Sequence, residues 1–92
     1  MAKAVITFKL MPEGVEIDLN GIKDKALAIA KEAGSIGEMR AEEEPIAFGL
    51  KALKVLAMYD VEGSEFDQIA EKMSQLEGVQ SAEVAKMDLA LG

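Results

Sequence analysis

The chain has 92 residues, with no cysteine and no histidine. That length suits one domain. It can have no disulfide framework and no thiolate nucleophile, and it lacks the commonest general base and metal ligand. Ten Lys and Arg against 17 Asp and Glu give a net charge of −7, which disfavours direct nucleic-acid binding and suits either a basic protein partner or plain solubility.

No apolar run approaches the roughly 18 residues of a membrane span. The segment Met1–Ile6 enters a strand pattern without the features of a secretory signal. The chain therefore reads as soluble and cytoplasmic, with no membrane contact.

From Lys3 to Leu10 the residues alternate, with Ala4, Ile6, Phe8 and Leu10 on one face and Val5, Thr7 and Lys9 on the other. That pattern predicts a strand, ended by Met11-Pro12-Glu13-Gly14. Asp18 is placed as a helix N-cap, with Ile17 and Ile22 spaced for a hydrophobic staple. Leu19, Ile22, Ala26, Ile29, Ala30 and Ala33 recur at helical spacing up to Gly34, a natural stop.

A weaker strand is expected over Ser35–Ala41, ended by Glu42-Glu43-Glu44 and Pro45. Lys51–Tyr59 alternates again, with Leu53, Val55, Ala57 and Tyr59 together. Ser64 with Asp67 has the form of a capping box. Phe66, Ile69, Ala70, Met73 and Leu76 then predict a second amphipathic helix up to Gly78. Val79–Met87 reads as a last strand whose parity breaks, which suggests a bulge. The order β-α-β-β-α-β predicts an α+β, ferredoxin-like sandwich: a four-stranded antiparallel sheet with both helices on one face.

Catalytic constellations are missing. Ser35, Ser64, Ser74 and Ser81 have no histidine to act as base, and Ser35 and Ser64 fall where turns and caps want hydroxyls. Neighbouring carboxylates in Glu42-Glu43-Glu44 point to alternate sides of an extended segment. They suit the guarding of an edge strand better than a convergent acid–base pair. A ferredoxin-like metallochaperone needs cysteines. An RNA-recognition module needs stacking aromatics and a basic face. No glycine-rich phosphate loop is present. The sequence reads as a non-enzyme without metal or cofactor.

Pro45-Ile46-Ala47-Phe48-Gly49-Leu50 resists a bland account, because a connection between strands is normally polar. Phe48 is either core lining tucked under the sheet edge or an exposed anchor for a partner.

The run Glu44-Pro45-Ile46-Ala47-Phe48-Gly49-Leu50-Lys51-Ala52-Leu53 resembles the Phe-Gly segment of the translation elongation factor 1-beta family. The likeness continues at Val79-Gln80-Ser81 and Val84-Ala85-Lys86-Met87, with Leu10–Leu19 and Gly37 in register, so it covers nearly the whole chain. The short length resembles the archaeal form. This resemblance implies a single guanine-nucleotide exchange domain over residues 1–92, with a ferredoxin-like fold. Its partner would be elongation factor 1-alpha, bound by a factor that is a monomer when free. The partner-binding residues implied are Pro45, Ile46, Phe48, Gly49, Lys51, Lys86 and Met87, with Phe48 as the wedge. Eukaryotic members carry a lysine aimed at the Mg²⁺ site where this chain has Leu89. Either Lys86 substitutes for it, or exchange relies on the loop. An ACT-type regulatory domain, which dimerises around a small ligand, shares the element order and is the alternative.

Overall fold

The computed structural model describes residues 2–62 and 65–90. The elements in chain order are β1 (Lys3–Pro12), α1 (Leu19–Glu32), β2 (Ile36–Pro45), β3 (Lys51–Asp60), α2 (Phe66–Ser74) and β4 (Val79–Ala90). The strands form one antiparallel sheet in the order β2-β3-β1-β4. This is the ferredoxin-like α+β arrangement. Among the described residues no helix is long and apolar enough to cross a membrane.

Alternation along the two central strands builds the core. Ala4, Ile6, Phe8 and Leu10 of β1 join Leu53, Val55, Ala57 and Tyr59 of β3 on one face, all buried. Both helices cover that face, through Ile22, Ala26 and Ala30 of α1 and Ile69, Ala70 and Met73 of α2. Three aromatic rings tie the layers together. Tyr59 meets Phe8 edge-on at 6.3 Å and Phe66, the first residue of α2, at 5.6 Å.

The helix ends follow local chemistry. Asp18 caps α1 by accepting a hydrogen bond from the Asn20 amide at 3.0 Å. Ile17 and Ile22 converge on Gly78, as a staple requires: a Cβ there would stand 3.2 Å from Ile17 and 3.5 Å from Ile22. Gly34, with φ at 102°, follows the Ala33 cap in the left-handed region.

Several boundaries differ from those the sequence predicts. β1 continues through Met11 to Pro12, which lies beyond the last β3 pair, Leu10–Leu53, and meets Val79 of β4 across a register shift, a place where a sheet accepts proline. β2 does not end at Ala41 but runs through the three glutamates to Pro45. It is an edge strand, where charged side chains are tolerated on both sides, and Glu43 and Glu44 find lysines on β3. Ala33 is exposed at the C-cap rather than on the buried stripe, and α2 ends at Ser74, before Leu76. Ser64 lies outside the described residues; Glu65 holds the N-cap position without a side-chain bond. β4 extends to Ala90, beyond Met87. The expected break in parity lies at Gln80, since Met11 pairs with Ser81 and Pro12 with Val79, and a second register shift leaves Ala85 extra between Lys86, opposite Thr7, and Val84, opposite Phe8.

Candidate partner-binding site

The β2–β3 hairpin carries five of the seven candidate residues. Pro45 pairs with Lys51 at its base. Beyond that pair the Ile46 amide donates to the Leu50 carbonyl, and the Leu50 amide donates to the Ala47 carbonyl, each at 2.9 Å. The second bond closes a four-residue turn with Phe48 and Gly49 at its centre. Their φ angles are 53° and 81°. Positive φ at both central residues defines a type I′ turn, whose twist matches the flanking strands.

Gly49 adopts this conformation without penalty. Phe48 does not: a side chain in the left-handed region costs about 1–2 kcal/mol. It is the only non-glycine residue with positive φ among the described residues. Its ring is also 97% exposed, which excludes the core reading. Phe8, by contrast, is fully buried. The turn thus holds a strained backbone that presents an aromatic ring to solvent.

Nearby side chains extend this surface. Ile46 is 42% exposed, and Val15, on the loop between β1 and α1, is 62% exposed and stands near Gly49, where an added Cβ would meet it at 3.7 Å. Lys51 pairs with Glu43 at 3.8 Å and Lys54 with Glu44 at 3.4 Å. These pairs are largely solvated and contribute little to stability, at most about 1 kcal/mol each. Sequence reasoning passed over Val15. The available signal was a β-branched residue left in a polar turn, three positions ahead of a helix cap.

Lys86 and Met87 are not brought to this end. They pair with Thr7 and Ile6, whereas the hairpin begins beyond the Leu10–Leu53 pair. That offset is about 20 Å along the strands, and β4 lies three strand spacings from β2, about 14 Å across the sheet. Lys86 stands on the helix-free face, with its ammonium 3.5 Å from Asp88. Met87 stands on the opposite face, half-exposed, beside an open cleft of about 490 Å³ lined by Glu65, Phe66, Asp67, Gln68 and Val84. Leu89, opposite Ala4, is on the same face as Met87 and 65% exposed.

The exposed side chains at this end of the sheet include the apolar Val15, Ile46 and Phe48. Among the described residues no group of three or more Asp or Glu is placed to hold a metal ion. Tyr59 is buried in the core, and burial pushes its pKa up to about 12.

Comparison with known proteins agrees with these features. The model of the EF-1 guanine nucleotide exchange domain matches residues 5–89. An elongation factor 1-beta of Methanosphaerula palustris is 40% identical over 89 residues, covering 97% of this chain and 99% of the relative. That of Pyrococcus abyssi is 44% identical over 77 residues, covering 83% and 82%. That of Methanococcoides burtonii is 39% identical over 88 residues, covering 95% and 96%. These matches favour an exchange domain over the ACT-type alternative. The chain belongs to the elongation factor 1-beta family, the guanine-nucleotide exchange factors of translation elongation.

Proposed function

We propose that this chain promotes GDP release and GTP reloading on elongation factor 1-alpha in the cytoplasm, as a single exchange domain over residues 1–92. In this reading it is a monomer when free, performs no covalent chemistry, uses no cofactor and makes no direct contact with nucleic acid or membrane. Pro45, Ile46, Phe48, Gly49 and Lys51 form the main contact. Lys86 and Met87 belong to a second contact at the far end of the sheet.

The observation that carries the reading is Phe48, held in a left-handed turn with its ring 97% exposed. The free protein gains nothing from either feature. A partner pocket that covers the ring recovers about 1.5–3 kcal/mol of burial. Aromatic anchors of this kind commonly cost 2 kcal/mol or more on truncation.

Exchange then works by competition. A factor that binds the nucleotide-free GTPase more tightly weakens GDP by the same ratio, because coupling is reciprocal. A 10⁴-fold weakening needs about 5.5 kcal/mol of differential binding.

The test is release of a fluorescent GDP analogue from elongation factor 1-alpha. The wild-type chain accelerates release, while Phe48→Ala loses most of the acceleration at an unchanged melting temperature. Failure of the wild-type chain to accelerate release overturns the proposal. Full activity of Phe48→Ala overturns the role given to the ring.

A further inference from the structure

The exposed ring at Phe48 makes too little contact to fix its own turn, so something else must hold it. The two hydrogen bonds of the hairpin close the turn internally, between Ile46, Ala47 and Leu50. They do not fix how the turn leans on the rest of the molecule. On its inner side lies a cleft of about 300 Å³ lined by Pro12, Asp18, Gly49 and Lys51 among others, so the turn overhangs open space rather than packed core. Val15 approaches the turn from the loop between β1 and α1. Leaving aside the chain neighbours of Gly49, the Val15 Cγ1 atom is the only heavy atom among the described residues within 4 Å of where a Gly49 Cβ would stand, at 3.7 Å.

The loop that carries Val15 is itself anchored. The Glu13 amide donates to the Gly78 carbonyl at 2.9 Å and the Ile17 amide to the Gly14 carbonyl at 3.3 Å. Pro12, just before it, is buried. Val15 is nevertheless 62% exposed, so its own burial does not explain an apolar side chain there. A prop for the neighbouring turn does.

The geometry points to Val15 as a positioning residue for Phe48: it holds the strained turn in the pose in which the ring meets its partner. This inference rests on the anchor reading of Phe48. Val15 itself need not touch the GTPase. Its removal lowers the fraction of molecules with the turn in place, and apparent affinity falls in proportion to that fraction.

The experiment compares Val15→Ala, Val15→Ile, Phe48→Ala and the double variant Val15→Ala/Phe48→Ala. Stimulated GDP release from elongation factor 1-alpha is measured across factor concentrations, with hydrogen exchange at the Leu50 amide of the free protein in parallel. Val15→Ala should raise the half-saturating concentration about fivefold, with the maximal rate and melting temperature unchanged. It should speed exchange at the Leu50 amide, and Val15→Ile should restore both readouts. In the Phe48→Ala background, Val15→Ala should add nothing. Wild-type behaviour of Val15→Ala in both readouts overturns the inference. So does an effect that adds to that of Phe48→Ala, which would mark direct contact with the partner. If Phe48→Ala is itself fully active, the anchor reading fails, and the Leu50 amide still reports whether Val15 steadies the turn.

Discussion

The phenol of Tyr59 donates a 2.7 Å hydrogen bond to the carbonyl of Ala30, joining the centre of the sheet to the last turn of α1. The final carbonyls of a helix lack intrahelical partners. Here the Ala33 amide takes the Ile29 carbonyl and the Gly34 amide takes that of Lys31. Ala30 is left over and fully buried, and Tyr59 satisfies it. Tyr59→Phe keeps the ring packing against Phe8 and Phe66 but strands this carbonyl. An unsatisfied buried acceptor costs about 1–3 kcal/mol, so urea unfolding should show a loss in that range with an unchanged slope.

The same residue gives the protein an alkaline limit. Burial disfavours the phenolate and pushes the Tyr59 pKa from its ordinary value of 10 up to about 12 in the folded protein. The folded pKa therefore lies above the unfolded one. This contribution to stability is complete below pH 10 and is lost as pH rises from 10 through about 12. At about 1.4 kcal/mol per unit the full loss is on the order of 3 kcal/mol. Tyr59 is the only tyrosine in the chain, so phenolate absorbance reports it alone. A native midpoint near 10, or the same alkaline loss in Tyr59→Phe, would contradict this account.

Phe48→Asn should separate stability from function. Asn-Gly is a preferred centre for a type I′ turn, and Asn tolerates the left-handed region that strains Phe48. Thermal unfolding should show the variant more stable by about 1 kcal/mol, while stimulated GDP release falls as in Phe48→Ala. A variant that is less stable and fully active would show that the ring serves the fold.

Lys86→Ala addresses the far end. Leu89, the position at which the family resemblance implies a lysine, lies on the helix-covered face. Lys86 projects from the other face beside Asp88, so it is poorly placed to serve a Mg²⁺ site in place of residue 89. Lys86→Ala should slow GDP release by the same small factor in Mg²⁺ and in excess chelator. A much larger loss in Mg²⁺ would put its ammonium at the metal.

The sequence by itself determined the architecture. Period-two alternation in β1 and β3, the Asp18 cap and the Gly34 stop each answer to interactions within a few residues, so they are legible from local pattern. The resemblance in the Phe48-Gly49 segment pointed to the exchange family on the same local footing. Strand ends were less legible, because β2 gains its last four residues, Glu42–Pro45, only by pairing with β3, a non-local partner. The tertiary structure decided the site. Burial depends on what folds over a residue: a turn that bends away from the core leaves Phe48 in solvent, while Phe8, of the same chemistry, is fully enclosed. It also brought Val15 near Gly49 across more than thirty residues of chain, and it paired Lys86 with Thr7 and Val84 with Phe8 around the bulge at Ala85, relations that depend on loop path and strand pairing rather than on spacing in the chain.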